Sequence, residues 1–318
     1  MREIPHPPLD LWELTAAKSA AATFFHTPTW AGIIASEYPE FRVATRAFEL
    51  ADHEIALIPM VASVERNRFF IWLESMYQGG YGGIIATRPL SQDEVSEIYK
   101  RLLRRNVASL HIIGNPFDDP YDPPAFTKEP NSTHLLTLGD YRFLYDNFSD
   151  DKKRNITKAH RLGVAVTLAE SLADYEAYYR VYEDTIRRWG ETTLVTYPFS
   201  LFRKLYDHQG EAIKLWLAKE DGKVISGKVV FYHNSRAFYW HGATLEQYFQ
   251  HYPDPLLMSA IIQDACKKNY RCLDLGPSAG LEGLERYKEK FGAQKAPFWS
   301  YTWQANKLHH LYKKVLGR

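Results

Sequence analysis

From about residue 150 onward the apolar positions alternate between helical spacing, near 3.6 residues, and the two-residue spacing of a strand. A Lys/Arg-rich helical stretch comes first. An extended run from Val164 to Ala169 follows, then a helical pattern from Leu172 to Arg188 with apolar and tyrosine positions three and four apart. A second helix starts after Pro198 and reaches about His208. Three strand-like runs come next: Ile213 to Lys219, Lys223 to Tyr232 and Ala237 to Ala243. Asp221-Gly222 predicts a tight hairpin between the first two, because both central residues of such a turn need positive φ. A helix from Pro255 to about Asn269, a short strand Cys272 to Leu275, a helix from about Leu281 to Phe291 and a strand near Phe298 to Trp303 complete this half.

The first half repeats part of that order. A helix, Thr29 to Ser36, precedes strands Phe41 to Glu49, Glu54 to Val61 and Phe69 to Leu73. Ser91-Gln92-Asp93-Glu94 then spells a capping box that opens a helix ending near Asn106, and Ser109 to Ile113 reads as a strand. The proline-rich stretch Asn115 to Pro130 is an irregular connector, and Thr133 to Leu138 is one more strand. The repeat predicts a duplication: one domain over residues 1–149, a second over 150–303, and a closing helix within 304–318 that packs back on the first.

Composition narrows the classes. The chain has 318 residues and a formal net charge of +1, so no global attraction draws it to DNA, and any polyanion site has to come from local clusters such as Lys152 to Arg161. No apolar run reaches the roughly 18 residues of a membrane span, and charges and prolines occupy the N-terminus where a secretory signal would be apolar. A cytoplasmic protein is expected. Cys266 and Cys272 form no C-x-x-C pair and read as small buried side chains, and no histidine cluster suggests a metal. There is no G-x-S-x-G elbow, P-loop, H-E-x-x-H or G-x-G-x-x-G after a strand.

Four segments, in order and spacing, carry a resemblance. They are Thr27-Pro28-Thr29-Trp30; Ser75 to Gly83 (Ser-Met-Tyr-Gln-Gly-Gly-Tyr-Gly-Gly); Arg154 to Val164 (Arg-Asn-Ile-Thr-Lys-Ala-His-Arg-Leu-Gly-Val); and Asp274-Leu275-Gly276 leading to Gly283 to Gly292. Together they resemble the Fem family of tandem-GNAT transferases, and the element order of the second half resembles the GNAT acyltransferase fold. The resemblance implies an α+β (α/β) chain of two tandem GNAT-like domains with mixed, mostly antiparallel sheets and a cleft between them. It also implies amide formation. An aminoacyl group from aminoacyl-tRNA, or an acyl group from acyl-CoA, would pass to the amine of a small-molecule or peptide acceptor such as a cell-wall precursor. No cofactor would stay bound; tRNA is a possible partner, and monomer or dimer is left open. A non-catalytic tandem-GNAT binding module is a further alternative.

Each candidate residue has two readings. Lys288, next to Tyr287, is placed by the resemblance near the reacting carbonyl, where an ammonium would stabilise a developing oxyanion; otherwise it is a surface lysine paired with Glu285 or Glu289. His241 is a general base or a structural strand histidine, and Asp274 orients a substrate amine or caps the following turn. Ser75, Tyr77, Tyr81, Gly82 and Gly83 line an acceptor cleft, or are turn chemistry. Arg154 and Lys158, with Arg161, share one helix face that meets phosphates or is simply solvated. Trp240 and Tyr252 wall the donor channel; Tyr239 and Trp240 must face opposite ways, so only one of them lines it.

Two departures matter. Acetyl-CoA-dependent GNAT enzymes carry a Q/R-x-x-G-x-G/A turn whose backbone N–H groups hold the pyrophosphate, and nothing between Ala243 and Leu256 matches it. The lysine that Fem enzymes gripping a nucleotide-linked peptide place shortly after the first-helix tryptophan is also missing after Trp30.

Overall fold

A computed structural model describes residues 1–63, 70–75, 79–104, 106–118, 125–190 and 196–305. The expected closing helix, Asn306 to Leu316, lies outside the described residues, as do Tyr77 and Arg105.

Contacts divide the chain into two units, Thr133–Ala296 and the remainder. The expectation had put the boundary at 150. The segment just after Thr133 belongs with the second unit because Leu135 to Thr137 pair with Asp274 to Cys272, and because helix 141–146 packs on helix 253–267.

The first unit holds β1 (Arg2–Ile4), α1 (Leu9–Lys18), α2 (Pro28–Glu37), β2 (Phe41–Val43), β3 (Arg46–Glu49), β4 (Ile55–Ile58), β5 (Val61–Ser63), β6 (Ile71–Ser75), β7 (Ile85–Ala86), α3 (Gln92–Leu102) and β8 (Val107–Ile113). The two long strands expected here each break in the middle, and their halves join different sheets: β1-β3-β4-β7 on one side, and β2, β5, β6 and β8 on the other. Pro59 has no N–H for a ladder, so the run 54–61 breaks there, and its partner breaks opposite it, where Ala44 donates to the Met60 carbonyl at 2.8 Å. α3 starts as its capping box requires: Ser91 Oγ accepts the Glu94 N–H at 3.2 Å, and the Glu94 carboxylate accepts the Ser91 N–H at 2.9 Å.

Strand β9 (Thr127–Thr137) leads into the second unit, which continues with α4 (Tyr141–Asp146), α5 (Asp150–Arg161), β10 (Ala165–Leu168), α6 (Leu172–Trp189), α7 (Phe199–Asp207), β11 (Ile213–Glu220), β12 (Lys223–His233), β13 (Arg236–Thr244), α8 (Pro253–Lys267), β14 (Cys272–Asp274) and α9 (Glu282–Glu289); the last strand, β15 (Gln294–Gln304), belongs to the first unit from Pro297 onward, where it pairs with β8. The strand order is β10-β11-β12-β13-β14-β9, antiparallel except for the parallel pair β13 and β14. Asp221 and Gly222 have φ of 47° and 78°, the turn their sequence predicts. β12 is buried at nine consecutive positions, since α6 covers one face of the sheet and α8 the other. The first unit repeats the motif: β6 and β8 are parallel within otherwise antiparallel neighbours.

Candidate active site

The parallel contact between β13 and β14 is short. It runs from Arg236 opposite Cys272 to Phe238 opposite Asp274, after which β14 ends while β13 continues to Thr244. The two chains therefore diverge beyond Phe238. At the same place the register with β12 slips: Val230 faces Tyr239, Val229 faces His241, and Trp240 is the extra residue of a bulge. As a result Trp240 and His241 lie on the α6–α7 side, with ring centroids 6.3 and 5.2 Å from Phe202, while the Tyr239 hydroxyl meets Lys228.

Beside the free part of β13 is a cavity of about 270 Å³ lined by Trp189, Tyr239, Gly242, Phe249, Tyr252 and Asp254, among others. Its wall is polar where α8 begins. Asp254 accepts hydrogen bonds from Lys228 Nζ and from the Tyr287 hydroxyl, and Lys228 Nζ donates at 3.1 Å to the Tyr239 oxygen. The ammonium of Lys152 sits 3.9 Å over the Tyr287 ring. Burial opposes the charge on Lys228, but Asp254 and Tyr239 more than offset it and hold its pKa above the usual lysine value. Burial likewise pushes Asp254 up, and Lys228 and Tyr287 pull it below the ordinary carboxylate value. Tyr287 is raised well above a free phenol by burial and by Asp254, so it remains a proton donor. The result is an ion pair of a buried lysine and a partly exposed aspartate that presents the hydroxyl of Tyr239 at the cavity wall.

The acetyltransferase (GNAT) domain family matches residues 147–289. This segment is a GNAT domain. The whole chain shares its fold with a crystal structure of FemX, at 11% identity and a TM-score of 0.77 with 100% of both chains covered. It also resembles the C-terminal domain of a putative lysylphosphatidylglycerol synthetase from Agrobacterium fabrum (9% identity, 97% and 94% covered, TM-score 0.58). A third neighbour is a tandem GNAT protein from the clavulanic acid biosynthesis pathway (10% identity, 96% and 99% covered, TM-score 0.53). Among curated protein sequences nothing matches. The fold and the GNAT domain together support an acyltransferase.

Within the GNAT domain the sequence-predicted residues separate into those at the cavity and those used elsewhere. Tyr252, with its backbone in the left-handed region, lines the cavity, and Lys158 lies 4.8 Å over its ring. Arg154 is exposed one turn earlier on α5. Tyr287 belongs to the Asp254 group described above.

Lys288 differs from both of its readings. It is 2% exposed, and its Nζ donates to the carbonyls of Gly276 and Pro277 at 2.6 and 3.0 Å and to Ser278 Oγ at 2.9 Å. An ammonium has three hydrogens, and all three are taken, so none is left for a substrate carbonyl. Burial brings Lys288 down to about 8. Asp274 takes its capping role: its Oδ1 accepts the N–H of Gly276 at 2.8 Å and the Thr133 hydroxyl.

His241 is locked in an aromatic box. Its Nδ1 is 2.6 Å from the Tyr178 hydroxyl, Tyr182 lies edge-on at 4.4 Å, and burial lowers its pKa to about 3. The imidazole is neutral and enclosed, with its Nδ1 engaged by Tyr178, away from the cavity beside β13. Of the β13 aromatics, Tyr239 and not Trp240 lines the cavity; Trp240 packs between Tyr197 and Phe231, with centroids at 4.8 and 5.3 Å.

The glycine-rich segment belongs to the core of the first unit. Ser75 Oγ donates to the Pro59 carbonyl at 2.8 Å and accepts the Gly83 N–H at 2.9 Å, and Tyr81 packs edge-on against Phe25 and Phe298. Gly82 donates to the Ile113 carbonyl at 2.6 Å, and a Cβ there would collide with the Ser75 carbonyl. Close backbone approach explains that glycine, and the partner is the protein's own strand. Ser75 and Tyr81 are fully buried, so their hydroxyls are not offered to solvent.

Sequence reading missed Lys228, Asp254, Lys152 and the role of Tyr239. One signal was available: Lys228 interrupts the strand Val224 to Tyr232, where every position is buried, and a lysine there needs a buried partner. Among the described residues no group of three or more His, Cys, Asp or Glu is placed to hold a metal, and no helix is long and apolar enough to cross a membrane.

Proposed function

We propose that this protein transfers an aminoacyl group from aminoacyl-tRNA to the amine of a cell-wall or cell-surface precursor, forming the amide in one ternary complex without a covalent enzyme intermediate. One observation carries the choice of donor. An acyl-CoA enzyme of this fold needs open N–H groups where α8 begins, to hold a diphosphate. Here that turn is Tyr252-Pro253-Asp254-Pro255: two of the residues have no N–H, and Asp254, paired with Lys228, brings the only carboxylate that lines the cavity among the described residues. A diphosphate is disfavoured at such a helix start.

In this reading Tyr239 is the catalytic residue. Its hydroxyl, whose oxygen accepts from Lys228, donates a hydrogen bond to the carbonyl oxygen of the ester as the acceptor amine attacks; negative charge grows on that oxygen, the C–O bond to the ribose breaks as the C–N bond forms, and the ribose oxygen leaves with the proton that the amine gives up. Lys288 and Asp274 are positioning residues that fix the Gly276–Ser278 loop. The basic face of α5, with Arg154 and Lys158, meets RNA phosphates. Aminoacyl-tRNA places the reaction in the cytoplasm.

The test offers purified protein a mixture of charged tRNAs or a panel of acyl-CoA donors, with amines and peptidoglycan peptides as acceptors. Amide formation from charged tRNA alone is expected. Turnover with acyl-CoA would replace this reading with that of an acyl-CoA N-acyltransferase, and failure of every donor to react or to shift the melting temperature would favour a binding module.

A further inference from the structure

A second cavity, also about 270 Å³, lies wholly within the first unit. Its floor is apolar: Met60, Ala62 and Leu73 are buried there, beside Leu102 and Val107. Its rim is cationic. Arg42 on β2, Arg46 on β3, and Arg101 and Arg104 at the end of α3 all line it, and among the described residues Glu3 is the only carboxylate that does.

The charges do not balance. Arg101 is answered by Glu97 at 2.7 Å, outside the cavity. Arg46 and Arg104 share Glu3, with Arg46 Nε 3.5 Å from it. Arg46 also donates to the Pro5 carbonyl at 2.6 Å, which orients its guanidinium but leaves its charge unanswered. Arg42 has no ion pair among the described residues. Three guanidinium groups thus face one carboxylate. Burial lowers the pKa of Arg46, Glu3 opposes this, and the neighbouring Arg104 and Arg42 lower it further. Like charges gathered on one rim repel one another until a counter-charge arrives. Arginine is the side chain whose planar fork fits the two oxygens of a carboxylate or phosphate.

We propose that this cavity binds a small oxyanion carried on an apolar body, with the oxyanion between Arg42, Arg46 and Arg104 and the apolar part on Met60 and Leu73. Carboxylates and phosphate monoesters share that chemistry. The site uses no residue of the GNAT domain cavity, so it stands or falls separately from the transfer reaction.

The experiment is calorimetry and thermal melting of the full chain with phenyl phosphate, benzoate and inorganic phosphate. Binding of phenyl phosphate or benzoate, at least tenfold tighter than inorganic phosphate, is expected, and the stronger of the two identifies the natural oxyanion. Arg42→Ala should weaken binding at least tenfold, and Arg42→Glu should abolish it. Among the described residues Arg42 has no ion pair to lose, so both variants should melt, without ligand, at or above the wild-type temperature. No binding of either compound to the wild type, equal binding to Arg42→Glu, or a lower melting temperature of the free Arg42→Ala protein overturns the proposal.

Discussion

Lys228 Nζ donates to the hydroxyl oxygen of Tyr239 at 3.1 Å, from a strand in which lysine has no route to water. The bond fixes the phenol and leaves its own hydrogen free to point into the cavity beside β13. If that hydrogen stabilises the oxyanion, Tyr239→Phe lowers kcat by roughly 10²- to 10³-fold with little change in KM. Steady-state kinetics on the folded variant decides it, and a change confined to KM would remove Tyr239 from the chemistry.

Gly242 has no side chain because the Tyr239 hydroxyl occupies that space; a Cβ there would collide with it. Gly242→Ala is therefore expected to displace the phenol and reproduce the kinetic loss of Tyr239→Phe. The double variant should be no worse than either single one. Additive losses would mean that the glycine serves some other purpose.

The pair Lys228 and Asp254 lends itself to a thermodynamic cycle. Lys228→Met leaves Asp254 with a hydrogen bond from Tyr287 but no countercharge, and is expected to cost roughly 3–5 kcal/mol in urea denaturation. Adding Asp254→Asn removes the stranded charge and should recover much of that loss. No recovery would show that the lysine acts by packing and not as a charge partner.

Burial holds Lys288 at about 8, below its value in an unfolded chain. The sign follows from proton binding: between about pH 8 and the unfolded value, roughly 10.4, the unfolded chain binds more protons than the folded one, so stability rises with pH across that window. The limit is roughly 1.4 kcal/mol per pH unit for one group. Chemical denaturation at pH 7.5, 9 and 10.5 should show this slope in the wild type and its loss in Lys288→Met. Parallel profiles for the two proteins would place the lysine's charge elsewhere.

Much of the fold was legible because its signals are local. The hairpin at Asp221-Gly222, the Ser91 to Glu94 capping box and the change of period from helix to strand depend on residues a few positions apart, and each appears where the sequence puts it. The same holds for the missing diphosphate turn before Pro255, which a single stretch of chain settles. Where local rules gave no answer the expectations failed: alternation along 41–49 and 54–61 reads as two strands, but only the sheet pairing shows that each divides between two sheets.

By itself the sequence determined the order of elements from residue 150 onward, the resemblance to tandem-GNAT transferases and the residue types available for chemistry. Only the tertiary structure decided which of them face one another. A one-residue bulge turns Trp240 and His241 away from the cavity and leaves Tyr239 in it; three nearby acceptors consume Lys288; and a lysine and an aspartate 26 positions apart meet at the start of α8. Such juxtapositions are fixed by strand register and by which buried charges find partners, and both are properties of contacts between segments distant in the chain.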